Sequence, residues 1–127
     1  MTKAHHPHFS WLKEYLLNKP ETLLDFPFGH DVYVFKVKGK MFALLSYRDD
    51  RLNLNLKCDP NEALMLRDIF PAVTAGYHMN KKHWNTVLID GSVPQGEIER
   101  MIDNSLMLVV GKMSNKEQQS ILLQLST

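Results

Sequence analysis

Arg51-Leu52-Asn53-Leu54-Asn55-Leu56-Lys57 sets a leucine at every second position between polar or charged neighbours. Successive side chains of a strand point to opposite faces, so this spacing predicts a β-strand with one apolar and one polar side. Leu52, Leu54 and Leu56 are expected to face a core, and Arg51, Asn53, Asn55 and Lys57 to face water. An antiparallel sheet with one solvated face is the architecture such alternation serves.

Upstream, Val32-Tyr33-Val34-Phe35-Lys36-Val37-Lys38 is rich in β-branched and aromatic residues and reads as a strand. Gly39-Lys40 is expected to make a tight turn into a partner strand from Met41 to Tyr47, and Arg48-Asp49-Asp50 turns the chain into Arg51. In this meander Tyr33, Phe35 and Val37 are expected inward, with Lys36 and Lys38 joining the wet face. Between Lys36 and Lys57 lie Lys36, Lys38, Lys40, Arg48, Arg51 and Lys57 against Asp49 and Asp50 alone, so the sheet is the basic region. Before it, Trp11, Leu12, Tyr15 and Leu16 keep helical spacing from a cap at Ser10 to a stop at Pro20, predicting a helix over 10–19. Phe26 and Phe28, in the turn-rich piece that follows, are expected to plug one end of the core.

Downstream, Asp59-Pro60-Asn61-Glu62 combines a capping aspartate, proline at the first helical position and an acidic first turn. It predicts a helix to about residue 70 that buries Ala63, Leu66, Ile69 and Phe70. Strands are expected from Val73 to His78 and from Trp84 to Ile89, joined through Met79–His83. A capping arrangement at Ser92-Val93-Pro94-Gln95 opens a helix over 94–110 with Ile98, Met101, Ile102, Ser105 and Val109 on one face. Ser114-Asn115-Lys116-Glu117 is a capping box for a last helix reaching about residue 125. The fold class is therefore α+β, an antiparallel sheet with helices packed on one face, as a lead over 1–9 and a single domain over 10–127.

A formal charge of +1 over 127 residues excludes a globally basic nucleic-acid binder, so electrostatic recognition has to come from local clusters. Cys58 is the lone cysteine, which excludes an intrachain disulfide and a multi-thiolate zinc site, and points to a cytoplasmic setting. No apolar run approaches the length of a membrane span. His5, His6 and His8 are near the terminus without a fixed geometry and are not read as a metal site.

The densest chemistry is Gly76-Tyr77-His78-Met79-Asn80-Lys81-Lys82-His83-Trp84-Asn85-Thr86-Val87. With Asp90-Gly91-Ser92-Val93-Pro94, Phe26-Pro27-Phe28-Gly29 and Lys57-Cys58-Asp59-Pro60, it resembles the signature of the MmcQ/YjbR family of small bacterial proteins, over residues 10 to 125. That resemblance implies a frataxin-like (CyaY-like) α+β fold and a DNA-binding role with a double-wing arrangement. It does not carry over the acidic iron-handling first helix of frataxin, because the first helix here holds only Glu14.

Two binding classes suit the residues. For DNA, Lys36, Lys38, Arg51, Lys57, Lys81 and Lys82 would neutralise phosphates, Asn53, Asn55 and Asn80 would bond base edges, and Trp84 or Tyr77 would stack on a base. For a small anion, peptide or protein, Lys57, Lys81 and His83 would line a pocket beside the 78–84 loop, with His78 at its other end. Trp84 has a second reading as a core anchor. Cys58 with His78 and His83 matches no nucleophile–base spacing, so no catalytic residue, metal or cofactor is assigned.

Overall fold

The computed structural model describes residues 6–76 and 79–125. The order of elements is α1 (Phe9–Leu17), β1 (Thr22–Asp25), β2 (Val32–Val37), β3 (Lys40–Arg48), β4 (Arg51–Lys57), α2 (Pro60–Ile69), β5 (Val73–Ala75), β6 (Trp84–Leu88), α3 (Gln95–Val110) and α4 (Asn115–Leu125). The six strands form one antiparallel sheet in the order β1-β2-β3-β4-β6-β5. The alternating strand lies at its centre, and Leu52, Leu54 and Leu56 are buried against the helices as the pattern requires.

All four helices feed the core on that side. Leu12 and Leu16 of α1, Ala63 and Leu66 of α2, Ile98, Met101, Ile102 and Val109 of α3, and Ile121 of α4 join the three leucines in one buried cluster. The capping motifs behave differently from one another. Asp59 accepts hydrogen bonds from the backbone N–H of Asn61 and Glu62, and Ser114 and Glu117 cap each other reciprocally. The arrangement at 92–95 does not cap α3: Pro94 occupies the cap position, while Ser92 donates to Asp90 instead. Likewise α1 begins at Phe9, one residue before the expected cap Ser10, and His8 stands at its cap with its ring accepting from Trp11 Nε1 at 2.9 Å rather than from a backbone N–H.

Other expectations are corrected. The β2–β3 turn is Lys38-Gly39, both at positive φ, so Val37 pairs with Lys40 and Lys38 leaves the strand face. Asp49-Asp50 forms the equivalent two-residue turn between Arg48 and Arg51. Such turns match the twist of the paired strands, and each central residue must adopt a left-handed conformation. Phe26 and Phe28 do not plug the core; both are exposed, because β1 ends at Asp25 and the chain swings outward at the edge of the sheet. On α2 only Ala63 and Leu66 are buried; Ile69 falls off the core face and is 60% exposed, and Phe70, the extended residue after the helix, is half-buried against the core.

The largest difference concerns the polar face of β4. Asn53 and Asn55 are only 6% and 8% exposed rather than solvated. They occupy the middle of a six-stranded sheet, with Ser46 and Leu44 of β3 on one side and Leu88 and Thr86 of β6 on the other. Neighbouring side chains 5 Å away cover a central strand even where no helix lies above it. A second, smaller apolar cluster, Val34, Leu44 and Trp84, sits on this same open face, flanked by Val32, Met41 and Met79.

Candidate functional site

The 76–88 stretch is held in place by close packing. An added Cβ at Gly76 would lie 2.8 Å from Cβ of Trp84, so only glycine lets the two chains approach, and the Gly76 N–H donates to the Trp84 carbonyl at 2.8 Å. Asn80 closes the turn: its Oδ1 accepts from the N–H of Lys82 and of His83, and its carbonyl accepts from the N–H of Trp84 at 2.9 Å. Arg67 of α2 clamps the far side, donating from Nε to Asn85 Oδ1 at 2.7 Å and from Nη2 to the Lys81 carbonyl. Trp84 is 7% exposed and acts as the anchor. Asn80 thus spends its carbonyl oxygen on the turn. Lys81, Lys82 and His83 are exposed, with Lys81 Nζ 3.5 Å from the Gly76 carbonyl. Tyr77 and His78 lie outside the described residues.

The sheet lysines separate into two groups. Lys36 pairs with Asp25 of β1 at 2.9 Å and Lys38 with Glu21, the residue before β1, at 2.8 Å, so the charges counted along the sequence as a basic face are largely offset there. Lys57 differs. Its N–H donates to Ser105 Oγ at 2.9 Å, and the Ser105 hydroxyl donates to the Phe42 carbonyl at 2.6 Å. A serine from α3 is therefore inserted between β3 and β4 beside the bulge at Phe42, where the ladder would otherwise continue. The Lys57 amine lies 6.0 Å from the Trp84 ring centre.

Lys57 and Lys112 line two adjoining clefts. One, of about 420 Å³, also takes in Cys58, Asn80, His83 and Trp84, and the other, of about 310 Å³, adds Lys40 and Ser114. Burial first, then the ammonium groups of Lys112 and Lys40, lower the Lys57 pKa from its ordinary value. Among the described residues these three lysines form no ion pair. Lys112 and Lys40 were not singled out by the sequence. Their only signal is charge, and nothing in the chain order reveals that the end of α3 meets the end of β4. Arg51, by contrast, sits at the opposite end of β4, beside Asn53 in a recess of about 520 Å³.

Cys58, in the wall of the larger cleft, is buried, and burial with the nearby carboxylates of Glu62 and Asp59 pushes its pKa up to about 11. A thiol held neutral is a poor nucleophile. Among the described residues no three His, Cys, Asp or Glu side chains group as metal ligands, and no helix is long and apolar enough to cross a membrane.

The YjbR family model matches residues 17–108. The chain is 36% identical over 109 residues to YbdF of Escherichia coli O157:H7, an uncharacterised protein, covering 86% of this chain and 89% of that one. It is 34% identical over 90 residues to the uncharacterised YjbR of Escherichia coli K12, covering 71% and 75%. Among solved structures, Deinococcus radiodurans DR2400, a DUF419 domain, superposes with a TM-score of 0.80 at 37% identity over 87% of this chain and 84% of that one. A Pseudomonas syringae protein does so at 0.70 and 31% identity, over 79% and 97%. With its turn anchored by Gly76, Asn80 and Trp84 and its sequence and fold matched over most of their length, the chain belongs to the YjbR family.

Proposed function

We propose that this protein is a binding module for a phosphate- or carboxylate-bearing small molecule, seated at Lys57, Lys112 and His83 with Lys40 at the margin. The observation that carries this reading is the convergence on adjoining concave clefts of three ammonium groups that form no ion pair among the described residues. Concavity suits a small ligand, whose charge is surrounded by donors, better than a duplex, which needs a continuous convex strip. The neutral, buried Cys58 supports binding rather than covalent catalysis.

Weak DNA binding is the second reading, supported by the exposed Lys81-Lys82-His83 turn adjoining the same clefts. A few phosphate contacts there would give modest and strongly salt-dependent affinity. Lys36 and Lys38, tied to carboxylates, and Asn53 and Asn55, held within the sheet, contribute little to it.

Calorimetric titration with inorganic pyrophosphate, beside fluorescence anisotropy of a labelled duplex at low salt, separates the two. The first reading expects saturable pyrophosphate binding that weakens at least about tenfold in Lys57→Ala/Lys112→Ala. Duplex binding lost in Lys81→Ala/Lys82→Ala, with pyrophosphate ignored, would replace it by the second.

We further infer a frataxin-like (CyaY-like) fold, supported by a meander bracketed by helices on one face, a single domain over 10–127, supported by one sheet with one main core, and a cytoplasmic setting, supported by the free cysteine.

A further inference from the structure

The two clefts that meet at Lys57 and Lys112 are unlike each other. The smaller, of about 310 Å³, is bordered by Lys40, Lys57, Lys112, Ser114 and Glu117, and by Lys38, which Glu21 already neutralises. The larger, of about 420 Å³, is walled by Pro60, His83, Trp84 and Leu108, with Asp59 also in its lining. Leu108, in the last turn of α3, is 36% exposed, and His83 is exposed as well. An apolar side chain and a ring thus stand open to an occupant beside the lysines.

The charges decide which end of an occupant goes where. In the smaller cleft Lys40, Lys57 and Lys112 form no ion pair among the described residues and meet one carboxylate, Glu117, so three positive charges against one negative leave an excess of two. Glu117 is engaged on its own helix, where its Oε1 accepts from the N–H and the hydroxyl of Ser114, each at 3.2 Å. A phosphate monoester carries about two negative charges at neutral pH and matches that excess. In the larger cleft Asp59 offsets one of the two shared lysines and is itself held by the N–H groups of Asn61 and Glu62. That cleft is the poorer place for an anion and the better one for an apolar body. The Lys57 amine, common to both, lies 6.0 Å from the Trp84 ring centre, so an anion seated on it has the indole beside it.

We propose that the joined clefts bind a phosphate monoester carrying a flat ring, as a nucleoside 5′-monophosphate does, with the phosphate among Lys57, Lys112 and Lys40 and the ring along His83, Trp84 and Leu108. This rests on the small-anion reading above and narrows it: the phosphate takes the seat already assigned, and the ring is what it carries. Two rings and a leucine in the wall favour a flat body, since stacking adds to the apolar area it buries. The volumes fall in the range of small-ligand sites, roughly 300 to 1,000 Å³. A base within a duplex is stacked on both faces and cannot enter, which separates this occupant from duplex DNA.

The test is calorimetric titration with adenosine 5′-monophosphate, ribose 5-phosphate, adenosine and inorganic pyrophosphate, with the indole N–H resonances of Trp11 and Trp84 followed by NMR. The nucleotide is expected to saturate at least about tenfold more tightly than ribose 5-phosphate or adenosine, shifting Trp84 and sparing Trp11. Lys57→Ala/Lys112→Ala weakens nucleotide and pyrophosphate alike. Leu108→Gln, on the exposed wall, brings the nucleotide towards the affinity of ribose 5-phosphate and leaves pyrophosphate unchanged. A nucleotide no tighter than ribose 5-phosphate, or indifferent to Leu108→Gln, overturns the proposal while pyrophosphate binding keeps the small-anion reading. Adenosine binding as tightly as the nucleotide removes the phosphate from its seat and overturns the proposal as well. Failure of nucleotide and pyrophosphate together overturns both.

Discussion

Gly76 shows how much a single hydrogen atom decides in this protein. Its neighbours across the turn are the Cβ, carbonyl oxygen and carbonyl carbon of Trp84 at 2.8, 3.0 and 3.2 Å from where a Cβ would sit, all on a buried anchor with no slack. Gly76→Ala must therefore push β5 from β6 or tilt the indole, and overpacking of this kind costs about 1–3 kcal/mol. Urea denaturation should show that loss, with Gly96→Ala, in the first turn of α3 with nothing within 4 Å, as the control that is neutral or stabilising by up to about 1 kcal/mol. The sequence marked this stretch as dense in titratable groups. Which of them are free was not legible, because Asn80 and Trp84 are consumed by backbone and packing contacts that exist only once the turn has closed.

At the scale of elements, Glu21 fastens the edge of the sheet. It pairs with Lys38 at the β2–β3 turn and accepts hydrogen bonds from Ser120 and, at 2.7 Å, from Gln124, both on α4. These contacts, the Lys38 bond foremost, lower its pKa from the ordinary 4.5, and Asp25 is lowered in the same way by Lys36. A carboxylate whose folded pKa is depressed contributes its stability above the unfolded value and loses it as pH falls through the folded one. Amide exchange along β1 and α4 should accordingly accelerate as pH drops below about 4.5, once corrected for the intrinsic rate. In Glu21→Gln the same region should exchange faster at pH 7 and respond less to acid. An unchanged acid response in the variant would assign the effect elsewhere.

At the scale of the whole molecule, the core reaches from the first helix to the last and encloses the lone thiol. Burial raises the Cys58 pKa from 9.0 to about 11, so folding favours the neutral form. Stability from this group is complete below pH 9 and is lost as pH rises towards 11, because the unfolded thiol ionises first. Denaturant melts of the native protein and Cys58→Ala at pH 8, 9, 10 and 11 should converge or cross as the native protein loses ground. Labelling by a disulfide reagent at pH 8 should be slow until denaturant is added.

What the sequence determined by itself is local periodicity. The alternation of 51–57, the 3.6-residue spacing of Ile98, Met101, Ile102, Ser105 and Val109, and the caps at Asp59 and Ser114 each follow from the geometry of one segment, and each is present in the structure. The tertiary structure alone decided which charges meet. Lys36 and Lys38 are neutralised by an edge strand, Asn53 and Asn55 are covered by neighbours on two other strands, and Lys57, Lys112 and Lys40 are gathered from three distant places. Burial and pairing are properties of what lies opposite a side chain, and that partner is set by strand order and helix packing rather than by the residues beside it in the chain.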